Sequence, residues 1–543
     1  MGKLQYRRIM HRGGWLLGWF FCLTTAVLAQ STTTAPKDES PSTPQTQSAG
    51  QAEHRISPDQ ARQLFSLVDD LLKFSSQETG LPIKSAVKRQ MISRAGVESF
   101  LKTKFEEDDS AKRLQRGEIV LKKFGLLDRD FSLKPFLLAL LKEQIEAYYD
   151  SKSKTVYLLD WVSVDDQKPV LAHELTHALQ DQHADLEKWS DQTPIGVSGN
   201  SAQDSDHILR DEMDTAREAV VEGQASAVMM DYVLQPLGKS MIKNPEVMDY
   251  LDQQMGTAEN SPVLSRAPLL LSESMLFPYR DGLGFEQDLW MDEGQTMAFA
   301  GTMDRPPTST WEIVNPREYE RHSIPAVPLL PNIHPLVDKL YKPYDIGQVG
   351  LLDLRILAKL FGGDSVARNL ASAWNGGLYW AGQLRSARTP VQQDSTASIS
   401  LFYLSAWKNS AGAASFAQLY ADSLGRKYSG LKQLPENSPN AAGQDEERIF
   451  TSDEGPILIV TRGKLVFIAE SFDLPLARKL ASLLLDAQGT GELQQTRTEP
   501  AIPALPYETV PGTSLTGGLV RFFSESGVMK AAVHAATSSA LRP

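Results

Sequence analysis

The sequence predicts an α+β protein: a mostly helical main domain with a small antiparallel edge sheet, followed by a smaller α+β domain. Three patterns carry this reading. Apolar residues recur at helical spacing through most of the first 395 residues. One strand–turn–strand pattern interrupts them near residue 150, and after about residue 398 short strand and helix patterns alternate. At 543 residues the chain is too long for one core, so two or more domains are expected. With 41% hydrophobic and 22% charged residues the composition is that of an ordinary globular protein. The formal net charge of −12 disfavours nucleic acid and anionic lipid as partners.

Residues 1–29 read as a signal peptide. Arg7, Arg8 and Arg12 precede an apolar stretch from Trp15 to Ala29, and Val27-Leu28-Ala29 gives a small-residue cleavage site. The rival is an uncleaved anchor, but the run is shorter than the ~20 residues a spanning helix needs and contains Thr24 and Thr25. The expectation is therefore an exported protein, periplasmic or secreted, with no stable membrane span after cleavage. The only cysteine, Cys22, lies in this segment behind Phe21, where a lipoprotein signal needs a small residue. An exported chain without disulfides must be held by core burial, or partly by bound metal. Residues 30–55, rich in Ser, Thr, Pro and Gln, offer little to bury and read as a disordered linker.

Order is expected from residue 56, and the main domain is placed at 56–395. Ser57-Pro58-Asp59-Gln60 forms a capping box, followed by the apolar stripe Leu64, Phe65, Leu67, Val68, Leu71 and Leu72. Helical patterns continue from Lys84 to Phe105 and from Ser110 to Phe124, with Gly125 as a stop. This part, 56–140, reads as scaffold or as a cover for a cleft. The chemistry is expected at 140–235. There Tyr148-Tyr149, a turn through Asp150 to Lys154, and Thr155 to Leu159 read as a hairpin. Asp165 or Asp166 can cap the next helix, and a second long helix is expected from about His207 to Leu234. Residues 236–395 read as helical, with Tyr344-Asp-Ile-Gly347 opening a helix that ends near Gly362-Gly363. The smaller domain, 396–490, shows strands at 401–406, 449–451, 457–460 and 465–469 and helices at 411–424 and 474–485. Residues 491–543 read as a tail.

The first of the two long helices carries His173-Glu174-Leu175-Thr176-His177 in an uncharged setting. Positions i and i+4 differ by about 40° around a helix, so the two histidines share a face and can hold one zinc ion. Glu174 can then activate the water that such an ion retains. A catalytic zinc needs a third protein ligand. His183 lies six residues after His177, as in H-E-x-x-H-x-x-G-x-x-H, but Gln180 stands where that pattern needs glycine to swing the chain back. Glu222 is the preferred ligand, because Gly223 and Ala225 beside it let its helix approach the histidines closely. Glu218, one turn away, is the fallback. Asp214, Arg217 and Glu218 are candidate partners for orienting the histidines.

His173-Glu-Leu-Thr-His177 followed by Glu222-Gly-Gln-Ala225 resembles the gluzincin, thermolysin-like group of zinc metallopeptidases. HELTHALQDQH with VEGQA further resembles exported bacterial proteins of largely unknown function classed as candidate metallopeptidases. The likeness covers about residues 140–235, with Pro306-Pro-Thr-Ser-Thr310 and Trp374-Asn-Gly-Gly377 extending it more weakly. It implies a zincin-like domain, one Zn2+ on His173, His177 and Glu222, and Glu174 as general base in hydrolysis of a peptide or protein substrate. The hairpin would then form the cleft edge on which an extended peptide pairs. Gluzincins also use a Tyr or His to stabilise the oxyanion; Tyr279, His207, His322 and His334 all remain open for that role. The alternative is a catalytically inactive zinc-binding cell-envelope or interaction protein on the same fold.

Overall fold

The computed structural model describes residues 55–107, 109–144, 147–190, 200–244, 262–323, 326–435, 445–489 and 515–525. The expected signal peptide, almost all of the linker and most of the expected tail lie outside the described residues. Among the described residues no helix is long and apolar enough to cross a membrane.

The helical part begins with α1 (Pro58–Thr79), opened by the expected Ser57/Gln60 capping box and closed by Gly80 at φ 71°. Then come β1 (Lys88–Ile92), α2 (Arg94–Glu107), α3 (Asp109–Phe124) and α4 (Leu133–Gln144). The hairpin forms as expected, from β2 (Ala147–Asp150) and β3 (Thr155–Leu159). Its sheet is not purely antiparallel, however. β1, which had been read as helix, pairs in parallel with β3, giving the order β1-β3-β2. Lys88 to Ile92 is three polar residues followed by two apolar ones, with no alternation to mark it as a strand; pairing with a buried strand decides the outcome.

The first motif helix is α5 (Val164–Ala184). Its cap is Ser163, whose hydroxyl accepts from the N–H of Asp166, rather than Asp165 or Asp166. The second long helix divides into α6 (Ser201–Arg210) and α7 (Met213–Leu234), broken at Asp211-Glu212. α8 (Leu269–Phe277), a π-helical turn (Pro278–Gly282) and α9 (Leu283–Glu293) follow.

The second layer is a seven-stranded antiparallel sheet that starts well before residue 396. β4 (Tyr341–Gln348) contains Tyr344 to Gly347, which were expected to open a helix. That helix, α10 (Leu351–Ala373), starts instead behind Gly350 and turns at Gly363, where φ is 81°. β5 (Trp374–Leu384), β6 (Ile399–Trp407), α11 (Ser410–Lys427), β7 (Lys432–Gln433), β8 (Glu446–Ser452), β9 (Gly455–Arg462), β10 (Leu465–Glu470) and α12 (Leu474–Ala487) complete it. The strand order is β4-β5-β6-β10-β9-β8-β7. Alternate residues serve two cores. Tyr379, Tyr403, Ile459 and Ile468 join α11 and the helical part in one apolar cluster, while Trp380, Phe402, Leu458 and Phe467 pack with α12 in another. Lys123 of α3 donates to Glu454 between β8 and β9 at 2.8 Å, tying the two layers together.

The supposed tail contributes a helix of its own, α13 (Gly517–Glu525). Leu519, Val520 and Phe523 fall on one face of it and are buried in the main core. Thr516 anchors its start by donating to Asp353 at 2.6 Å. Asp353 also accepts from the N–H of Gly350 at 2.9 Å. Beside it, Glu212 accepts from the Thr310 N–H and hydroxyl at 2.9 and 2.5 Å. Gly350 is dictated by this neighbour, because a Cβ there would lie 2.1 Å from the Glu212 carboxylate.

Burial pushes the carboxyls of both Glu212 and Asp353 well above the usual range, and Asp353 raises Glu212 further. Folding therefore favours their protonated forms, and the associated stability is lost as pH rises through the folded pKa values. Stability should fall, by at least ~1–2 kcal/mol per group, from about pH 4, where the unfolded carboxyls ionise, to about pH 8, where the folded pair does. Urea titrations of wild type and Asp353→Asn across that range test this. The variant should show a shallower decline, and identical slopes would refute the assignment.

Candidate metal centre

α5 runs between α1, the small sheet and α7, so every residue on it from Pro169 to Asp181 is buried. Ser75 of α1 donates to the Ala172 carbonyl at 3.0 Å. Gln167 clamps the end of β3, accepting from the Leu159 N–H and donating to the Leu159 carbonyl at 2.9 and 3.0 Å. At the level of the motif, α7 crosses and delivers Glu222 to the histidines. The Nε2 atoms of His173 and His177 lie 3.0 and 3.6 Å from Glu222 Oε2. The two rings stand nearly perpendicular, with centroids 4.7 Å apart. One ligand atom from each of the three residues lies within 4.8 Å of the others, a cluster that could hold a metal ion.

The donor chemistry fits a cation. Two imidazole nitrogens and a carboxylate oxygen converge at relative exposures of 0%, 7% and 1%. A carboxylate so buried is costly unless countercharge stands close to it. Glu174, also at 0% exposure, projects beside the cluster. Its Oε2 accepts from the N–H of Tyr149 on β2 at 2.7 Å, so the edge strand and the motif helix meet at this carboxylate. Two turns further along α5, Asp181 accepts from the Tyr149 hydroxyl at 2.7 Å and pairs with Lys154 at the same distance.

Of the rival ligands, His183 is carried away by the unbroken helix and pairs with Asp304 at 3.0 Å. Glu218 lies within 2.6 Å of the Ser524 hydroxyl of α13, which also lies 2.7 Å from Glu222 Oε1. The expected orienting partners make contacts elsewhere: Asp214 approaches Arg521 at 3.8 Å and Arg217 stacks on Trp189. The histidine partner is Gln180, whose Oε1 lies 2.9 Å from His177 Nδ1. Among the four open residues, the structure brings only Tyr279 to the cluster. Its ring lies over His173, centroids 6.3 Å apart, and burial together with the Glu222 charge holds its hydroxyl pKa well above the usual range. His207 sits against Asp211, His334 pairs with Asp204, and His322 with Arg305.

Small residues do permit close packing beside Glu222, but against a different neighbour from the one expected. A Cβ on Gly223 would lie 2.5 Å from the Gly282 backbone, and one on Gly282 would lie 2.2 Å from the Ala219 carbonyl. α7 thus packs backbone to backbone on the π-turn, and that turn carries Tyr279. The Tyr149 N–H, Ser524 and the π-turn could not be found from spacing, since each reaches the site through tertiary contact. Gln224 had a visible signal in its place beside Glu222.

No family model matches the chain, and neither the curated proteins nor the solved structures contain a match.

Gly223→Ala should push α7 off the turn, costing ~1–3 kcal/mol and weakening divalent-metal binding. Equilibrium dialysis with metal analysis should also show binding lost in Glu222→Ala and retained in His183→Ala. The reverse pattern for the last two would move the third ligand to His183.

Proposed function

We propose that the chain is an exported zinc-dependent metallopeptidase that hydrolyses peptide bonds of a peptide or protein substrate. The observation that carries this reading is the position of Glu174. It follows His173 of the cluster directly in the chain, and its carboxylate is bonded to the edge strand β2. A purely structural metal site has no use for a carboxylate there. Two histidines and a glutamate form the ligand set of a hydrolytic zinc with one position left open. Zinc held there supplies a Lewis acid that polarises the scissile carbonyl and makes water a better proton donor.

The residues of the chain supply the rest. Glu174 takes a proton from the attacking water and returns it to the leaving amine. β2 is an edge strand, paired on one side to β3, and its outward side faces α5 through the Tyr149 N–H. An extended substrate pairing there would lie along the motif helix and would displace Glu174 from that N–H, freeing the carboxylate for proton transfer. Tyr279 keeps its hydroxyl proton and can donate it as a hydrogen bond to the oxygen on which negative charge develops. Export rests on the signal-like residues 1–29.

One observation favours the inactive zinc-binding alternative: none of His173, Glu174, His177 and Glu222 is more than 7% exposed. Substrate must therefore part the covering elements before hydrolysis. The readings separate on a broad peptide library with zinc content measured in parallel. Glu174→Gln should keep its zinc and lose at least ~100-fold in kcat/KM, and Tyr279→Phe should lower kcat about 10-fold with little change in KM. Wild-type protein that binds one zinc yet cleaves nothing spared by Glu174→Gln would sink the peptidase reading.

A further inference from the structure

Gln180 Nε2 donates to the Val221 carbonyl at 3.0 Å and to Gln224 Oε1 at 2.8 Å. Gln224 Nε2 in turn donates to the carbonyls of Ala298 and Phe299, at 3.0 and 2.9 Å, and to the Thr302 hydroxyl at 2.8 Å. Backbone carbonyls only accept, so the atoms facing Val221, Ala298 and Phe299 must be the NH2 groups. That fixes the direction of both amides. With its NH2 committed, Gln180 has only its carbonyl oxygen to offer His177. The Nδ1 of His177 must then carry hydrogen, and its Nε2 must face Glu222 either bare or protonated. A bare Nε2 opposite a carboxylate oxygen is a meeting of two acceptors, which a cation between them relieves.

We propose that Gln180 and Gln224 are positioning residues: a two-amide relay, anchored on three backbone carbonyls, that imposes the Nδ1–H tautomer on His177 and so presents its Nε2 to the metal. This rests on the metal-site reading, and it extends that reading from the three ligands to the helix α7 and the segment at Ala298–Phe299. Both amides are fully buried, at 0% exposure, so no water competes for their hydrogen bonds. Gln224 sits two residues after the ligand Glu222, so the same turn of α7 provides both a metal ligand and the support for another.

The test uses full-length protein with 15N-labelled histidine. Long-range 15N–1H correlation spectra report the tautomer of His177, assigned by difference with His177→Ala, and chelator competition reports zinc affinity. Wild type should show the Nδ1–H form both without and with zinc. Gln180→Leu, which keeps bulk but removes the acceptor, should populate the Nε2–H tautomer without metal and bind zinc about 10- to 100-fold more weakly. Gln180→Glu keeps an acceptor for Nδ1–H while losing a donor to Val221, so it should retain zinc affinity although its melting temperature falls. Gln224→Met should reproduce a weaker form of the Leu phenotype. If Gln180 only filled space, zinc affinity would follow stability in every variant, and that outcome overturns the proposal. So does an unchanged tautomer with zinc affinity within about twofold of wild type in Gln180→Leu. If wild type binds no zinc, the metal reading fails, while the tautomer of the metal-free protein still decides whether the relay acts.

Discussion

Helix α5 is buried all round from Pro169 to Asp181, so the polar groups on its motif face have to be met by the protein rather than by water. That requirement organises the molecule. Gln167 meets the end of β3, Glu174 meets the N–H of Tyr149, and Gln180 meets Val221 and Gln224. On the far side, α1 supplies Leu64, Val68, Leu71 and Leu72 to the same apolar cluster as Leu171, Leu175 and Leu179. α1 is therefore scaffold to α5. The small sheet and α7 are fixed by hydrogen bonds at the very level where the motif lies, so their positions and the geometry of the site are one problem.

What could be read in advance was whatever is local. His173 and His177 share a face because of helical pitch alone, and the hairpin of Tyr148 to Leu159 shows itself by alternation around a polar turn. Glu222 was legible because small residues and an apolar run surround a carboxylate that would otherwise face solvent. The unread parts depend on partners distant in sequence. β1 is a strand only because β3 offers it a free edge. Tyr344 to Gly347 sit in β4 because β5 pairs with them. The break at Asp211-Glu212 serves contacts to Gln348 and Thr310, more than a hundred and nearly a hundred residues away. α13 has a clear apolar face, but the Pro- and Thr-rich stretch before it masks that short signal, and its burial follows from docking on α3, α7 and α8.

The buried charges divide into two kinds. Between the helices and the sheet, Lys123 of α3 with Glu454 and Lys427 of α11 with Glu470 are ion pairs whose partners neutralise one another. Desolvation lowers the pKa of both lysines, while their neighbours keep both carboxylates below the usual range. Such pairs specify how two layers fit together more than they stabilise them. Glu222 belongs to a different kind. Among its neighbours are two imidazoles, a serine hydroxyl and a tyrosine ring. Two imidazole nitrogens converging with a buried carboxylate oxygen could hold a cation.

Gln180 connects these threads. A glycine there would let the chain leave the helix and return His183 to the metal position. With glutamine, α5 continues to Ala184 and His183 is carried off to Asp304. A third metal ligand would then have to arrive on another helix, and a carboxylate about two and a half turns into α7 can reach two imidazoles only if α7 is seated firmly from behind. Gly223 against Gly282 provides that seat, and the π-turn that brings Gly282 there also brings Tyr279 over His173. Gln180 then closes the circuit by bonding across to Val221 and Gln224 of the same helix. One side chain thus excludes one ligand arrangement, and the contacts it makes instead are those that hold the other in place.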